Sequence, residues 1–88
     1  MKKIDCKVTY SRDCKTAWFN GSKFMKKREY YYDSKDKPLQ EEVWEYYKGG
    51  VKKDCVVYHV NGCKADNDID NLDIMNKRYY NRINKNEL

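Results

Sequence analysis

A strand, loop, strand and helix pattern between residues 55 and 85 limits the fold of this chain more than any other feature. The short β-branched run at residues 55–60 predicts a strand, and Asn61-Gly62 then opens a polar loop that extends to Asp70. A second short strand at residues 72–75 leads to Asn76, a good helix-capping residue, and to a basic helix. We therefore expect two short strands joined by a polar loop and followed by one helix.

The residues before this pattern predict another helix. Pro38 suits a first helical turn, where its missing amide hydrogen costs nothing, and Gly49-Gly50 ends the helix. Apolar residues recur at a spacing of three to four, as in a helix with one buried face. This apolar stripe consists of Leu39, Val43, Trp44 and Tyr47.

The first third of the chain reads as short strands and turns. Residues 7–10, 16–19 and 23–25 have strand character, and Asn20-Gly21 is a strong hairpin signal. Tyr30, Tyr31 and Tyr32 suit a further strand with aromatic side chains on both faces, where they either stack on bases or pack in a sheet core. The predicted fold class is α+β: a small N-terminal β-hairpin or sheet region, one helix, and then the strand, loop, strand and helix unit.

Length and charge limit the domain organisation and the partners. We expect one domain over residues 1–88, with a thin core, divided into a basic β-rich region (1–37) and the following module (38–88). Net charge is +5, and residues 1–40 contain eleven Lys and Arg against five Asp and Glu, whereas residues 41–88 contain eight against nine. This imbalance indicates a polyanion partner such as nucleic acid, although lysines also serve solubility alone.

Neither a membrane nor a secreted location is expected, because no apolar run is long enough to span a bilayer and no signal-peptide pattern is present. We therefore predict a cytoplasmic protein with reduced thiols. The four cysteines form two pairs, Cys6 with Cys14 and Cys55 with Cys63, and seven residues separate the members of each pair. Structural zinc sites use closer spacings, so free thiols are expected rather than zinc.

Several residues of the second half fall in the register of a known nuclease motif, namely Trp44-Glu45, His59, Asn61-Gly62, Asn67, Asn71-Leu72 and Asn81-Arg82. In these residues the segment from 39 to 88 resembles the HNH endonuclease module of phage and homing enzymes, the ββα-metal fold. The resemblance does not extend reliably into residues 1–38.

The resemblance implies a catalytic pair, His59 and Asn71. His59 takes the position of the general base that activates water against the scissile phosphate. Asn71 takes the position of the central asparagine, which braces the loop and orients the histidine. One divalent cation, usually Mg²⁺, offsets the growing charge in this family.

The chain departs from the family at both positions that hold this metal. Tyr58 stands directly before the general base, and Tyr80 stands where the final helix supplies the other ligand. A phenol has a pKa near 10 and is a poor ligand for a hard cation. Asn81 offers an alternative oxygen if the helix register differs by one residue. The acidic loop residues 66–73 are expected to form turns rather than a metal site.

Three functions remain open. The first is a phage-derived, nucleic-acid-binding HNH-like protein with weakened or lost metal-dependent phosphodiesterase activity, and the second is an active Mg²⁺-dependent nicking endonuclease. The third is a phage accessory inhibitor that binds a host defence or nucleic-acid enzyme. DNA is the expected nucleic acid, and the predicted phosphate contacts are Lys26, Lys27, Arg28, Lys77, Arg78 and Arg82.

Overall fold

The computed structural model describes residues 6–86, and this part has the predicted α+β architecture. Residues 1–5 and 87–88, the ends of the predicted domain, lie outside the described residues. The elements are β1 (Thr9–Tyr10), β2 (Thr16–Phe19), β3 (Ser22–Lys27), β4 (Tyr30–Tyr32), α1 (Leu39–Lys48), β5 (Cys55–His59), β6 (Leu72–Asn76) and α2 (Lys77–Asn86). A short 3₁₀ turn, Ile69–Asn71, precedes β6. No helix in residues 6–86 is long and apolar enough to cross a membrane.

The N-terminal strands form one antiparallel sheet in the order β1-β2-β3-β4. The predicted Asn20-Gly21 hairpin is confirmed: both residues have positive φ, 50° and 82°, and they connect β2 to β3. One face of the sheet packs into the core, and its fully buried side chains are Ala17, Phe19, Phe24 and Tyr31. The prediction that the Tyr30–Tyr32 strand carries aromatics on both faces is confirmed, since Tyr31 alone of the three is buried.

Helix α1 covers the buried face of this sheet. Its apolar stripe packs as predicted, with Leu39 and Val43 fully buried. Pro38 occupies the N-cap with extended backbone, one position earlier than expected, because the first helical residue is Leu39. Gly49 ends the helix in the left-handed conformation, where its amide donates to the Glu45 carbonyl at 2.9 Å.

Strands β5 and β6 pair antiparallel from Cys55 opposite Asn76 to His59 opposite Leu72. The predicted cap at Asn76 is confirmed: its Oδ1 accepts the backbone amides of Arg78 at 2.9 Å and Tyr79 at 3.3 Å. Helix α2 therefore starts directly at the end of β6, and the polar loop of residues 60–71 joins the two strands at the His59 end.

A single hydrophobic cluster joins the two halves of the chain. It contains the buried face of the N-terminal sheet, the stripe of α1, and Val57 and Leu72 of the hairpin. The cluster fixes the sheet next to the loop that follows β5, so residues from the basic N-terminal region reach the surroundings of His59.

Candidate functional site

His59 ends β5 beside a cavity of about 460 Å³. Its side chain is 8% exposed, and its strand partner is Leu72. The other residues that line this cavity, called here the His59 cavity, are Tyr30, Tyr58, Val60, Gly62, Lys64, Met75, Tyr80 and Ile83. The cavity thus places both predicted metal-ligand positions, Tyr58 and Tyr80, around the predicted general base.

Asn67, which is 1% exposed, determines the protonation pattern of His59. Its Oδ1 lies 2.8 Å from His59 Nε2, while its Nδ2 donates to the Lys64 carbonyl at 3.4 Å. Because a carbonyl only accepts, the amide nitrogen faces Lys64 and the amide oxygen faces the imidazole. We therefore assign the proton of neutral His59 to Nε2. Nδ1 then has the lone pair that a general base needs.

The environment keeps His59 neutral. Burial is the largest cause and lowers the pKa of His59, and the nearby Lys64 ammonium lowers it further. The hydrogen bond with Asn67 and the Asp66 carboxylate act in the opposite direction but do not outweigh burial. At neutral pH the imidazole is in the form that can accept a proton.

Asn71 braces the loop, as expected for the central asparagine of the motif. Its Oδ1 accepts the Asn61 amide at 3.0 Å, and its Nδ2 donates to the Asp66 carbonyl at 2.9 Å. Among the described residues no hydrogen bond joins the Asn71 side chain to His59. The imidazole contact that we expected from Asn71 is made by Asn67, because the Asn71 side chain is engaged on the loop backbone.

The side chains around His59 do not suit Mg²⁺. Tyr58 and Tyr80 contribute phenols, no carboxylate lines the His59 cavity within residues 6–86, and Lys64 adds a positive charge instead. Burial, followed by a hydrogen bond with Tyr80, raises the pKa of Tyr30, so the Tyr30 phenol stays neutral. No group of three or more His, Cys, Asp or Glu in the described part of the chain is arranged to hold a metal.

Asn81 lies apart from His59. It lines a different cavity, with Asp54, Asn76, Lys77 and Arg78. Tyr80 lines the His59 cavity, and the side chain of Asn81 points about 100° further around α2, towards this second cavity. The expectation that Asn81 replaces the lost ligand is not supported by this arrangement.

Two residues of the site, Tyr30 and Lys64, were not anticipated. The Tyr30 ring centroid lies 6.0 Å from that of His59, and Lys64 Nζ lies 5.8 Å from the Tyr30 centroid. Tyr30 comes from the N-terminal sheet, outside the nuclease-like segment, so no motif pointed to it. Asn67 could have been predicted from the sequence, since it falls in the register of the nuclease motif.

The predicted phosphate contacts form two exposed basic groups. Lys26, Lys27 and Arg28 lie at the hairpin between β3 and β4, where Lys27 also pairs with Asp36 at 2.6 Å. Lys77, Arg78 and Arg82 lie on α2. Both groups are open to solvent, which a phosphate contact requires.

The four cysteines form no disulfide with one another. Cys6 and Cys63, which belong to different sequence pairs, line a common cavity of about 370 Å³, and neither Cys14 nor Cys55 is part of its lining. The absence of zinc stays a prediction.

A protein-family model described as HNH endonuclease matches residues 39–82. The match starts at the first residue of α1 and ends within α2, so it includes His59, the braced loop and both tyrosine positions. The N-terminal sheet lies outside the matched range. Comparisons with curated proteins and with solved structures found no match.

Proposed function

The chain belongs to the HNH endonuclease family, and from this premise we propose that it binds DNA around the His59 cavity with weakened or lost metal-dependent phosphodiesterase activity. One observation carries the proposal. Tyr58 and Tyr80, which the resemblance assigns to the two ligand positions, line the His59 cavity together with Lys64, and no carboxylate of the described residues lines it.

The lining of the His59 cavity suits a phosphodiester better than a cation. The Lys64 ammonium and the hydroxyls of Tyr58 and Tyr80 are hydrogen-bond donors that can face phosphate oxygens. A divalent cation would instead need anionic oxygens, and its charge would be repelled by Lys64. The tyrosines at the two ligand positions therefore disfavour a metal ion and favour contact with the DNA backbone.

The general base alone does not make an efficient nuclease. His59 keeps a neutral imidazole, in which Nε2–H donates to Asn67 and Nδ1 has the lone pair that proton abstraction requires. The charge that grows on the leaving oxygen, however, must be offset by preorganised positive charge, and Lys64 supplies one charge where the family uses a divalent ion. We expect cleavage to be slow or absent while binding persists.

Binding draws on the two exposed basic groups that flank the site. Residues 1–40 have the excess of positive charge, and α2 adds Lys77, Arg78 and Arg82. Such contacts neutralise phosphates without reading sequence, and their strength falls with salt because counterions are released. A cytoplasmic location remains part of this proposal.

Fluorescence anisotropy of a labelled DNA duplex over a series of salt concentrations tests the proposal. We expect affinity to fall steeply with salt, and the double substitution Arg78→Gln/Arg82→Gln to reduce the log–log slope by roughly two. The matched control Lys48→Gln/Lys52→Gln removes two exposed charges at the end of α1 and the following loop and should leave the slope unchanged. Absence of binding at low salt would overturn the proposal and favour a host protein as the partner.

A further inference from the structure

The outer face of the N-terminal sheet, opposite the core, carries exposed aromatic and basic side chains. Antiparallel pairing places Trp18 opposite Lys23 and Met25 opposite Tyr32, and paired residues lie on the same face of a sheet. Trp18 is 40% exposed and Met25 is 46% exposed. The outer face thus includes Trp18, Lys23, Met25, Lys27, Tyr30 and Tyr32, with Thr9 and Thr16 on the same face.

A broad cavity of about 610 Å³ lies on this face. Its lining combines the apolar Met25 and the Tyr32 ring with three lysines, Lys23, Lys27 and Lys35. Lys27 Nζ lies 5.8 Å from the Tyr32 ring centroid, so a cation and an aromatic ring are neighbours on this surface.

The outer face continues into the His59 cavity. Tyr32 lines the broad cavity and Tyr30 lines the His59 cavity, and the centroids of their two rings are 6.5 Å apart. The Tyr30 centroid is in turn 6.0 Å from that of His59. These ring contacts connect the outer face to the His59 cavity.

Charge on this surface favours a polyanion. Three acidic residues are nearby, and each is engaged: Asp36 pairs with Lys27 at 2.6 Å, Glu29 pairs with Lys64 at 3.9 Å, and Asp33 Oδ1 accepts the amides of Lys35 and Lys37. Lys23 and Lys35 add positive charge on either side of the aromatic rings. Aromatic rings interleaved with lysines hold single strands, because unpaired bases expose the faces that stack and a duplex hides them.

We infer that the outer face of the sheet is a platform for single-stranded nucleic acid, on which unpaired bases stack against Trp18 and Tyr32 while the backbone passes Tyr30 towards the His59 cavity. This inference rests on the proposed nucleic-acid function and specifies its substrate as a strand with unpaired bases.

Tryptophan fluorescence tests the platform, since the chain has two tryptophans, Trp18 on the outer face and Trp44 in the core. The variant Trp44→Phe reports on Trp18, and Trp18→Phe reports on Trp44. Titration with a short oligothymidylate should quench the emission of Trp18 and leave that of Trp44 unchanged. A hairpin duplex of equal charge should quench Trp18 much less.

Fluorescence anisotropy of the same oligonucleotides, carrying a label, gives a second measurement that does not require the core substitution Trp44→Phe. We expect Trp18→Ala to weaken oligothymidylate binding roughly 5- to 150-fold, the range that corresponds to one stacked base. The control Tyr79→Ala removes an exposed aromatic outside the outer face and should have little effect. Equal or tighter binding of the duplex, with Trp18→Ala unchanged, would overturn the platform and leave the proposed function intact. Failure to bind either oligonucleotide would overturn both.

Discussion

At the scale of single residues, the site depends on how one imidazole is held. His59 is the only histidine of the chain, and Asn67 is the side chain that fixes its tautomer. The family resemblance located His59 and the braced loop, but it assigned the orienting contact to Asn71. Sequence register alone cannot distinguish two asparagines of one loop, because the direction of each side chain depends on how the loop folds back on itself.

The pKa of His59 should lie below the value of about 6.5 that is usual for histidine. The physical reason is burial, which disfavours the imidazolium. Because the chain has one histidine, an NMR titration of its imidazole ring protons over a range of pH measures this pKa directly. The variant Asn67→Asp should raise it, since an adjacent carboxylate favours the charged form. A native pKa at or above 6.5 would show that burial does not control His59.

The lowered pKa of His59 makes the free energy of unfolding depend on pH. The unfolded chain binds a proton at His59 near pH 6.5, and the folded chain binds it only at lower pH. Between these two values the unfolded state binds more protons, so the free energy of unfolding should fall as the pH is lowered through 6.5. Urea unfolding at a series of pH values checks this, and His59→Gln should flatten the dependence in that window.

At the scale of secondary structure, most elements are predictable because their signals are local. The Asn20-Gly21 hairpin, the stripe of α1 with Gly49 at its end, and the Asn76 cap each depend on residues a few positions apart. The β3–β4 hairpin and the full four-stranded sheet were less evident. Arg28 adopts positive φ at 61°, and a residue type that rarely does so gives no turn signal.

The Asn76 cap connects β6 to the basic helix that we propose contacts DNA. We expect Asn76→Ala to destabilise the protein by about 1 kcal/mol, because two backbone amides at the start of α2 lose their acceptor. DNA binding should weaken in parallel as the helix start frays. Asn76→Ser keeps a capping oxygen, so it should retain most of the stability, measured by thermal unfolding, and most of the DNA affinity, measured by anisotropy. Equal losses for alanine and serine would show that the cap is not the cause.

At the scale of the whole molecule, the N-terminal sheet supports the loop of the family module. Tyr10 Oη of β1 donates to the Ala65 carbonyl at 2.5 Å and accepts from the Asn67 amide at 3.4 Å. These contacts join residues that are separated by 55 and 57 positions in the sequence. No local pattern reveals such pairs, which is why Tyr10 and Tyr30 were absent from the predicted site although their strands were expected.

Removal of the Tyr10 hydroxyl should loosen the loop that orients His59. We expect Tyr10→Phe to cost about 0.5–1.5 kcal/mol of stability and to speed hydrogen exchange of the amides in residues 61–68. Tyr79→Phe is the matched control, because Tyr79 is exposed on α2. Unchanged exchange in Tyr10→Phe would mean that the Tyr10 hydroxyl does not hold the loop.

The proposed loss of the metal site in this HNH-family chain is tested most directly by conversion of supercoiled plasmid to open circles in Mg²⁺ or Mn²⁺. We expect the native chain to nick the plasmid slowly or not at all. The double substitution Tyr58→Asp/Tyr80→His, which restores the family ligands on either side of the His59 cavity, should nick it. Addition of His59→Ala to that variant should abolish nicking. Nicking by the native chain at the rate of the double variant, with its loss in the single variant His59→Ala, would contradict the proposal and identify an active endonuclease.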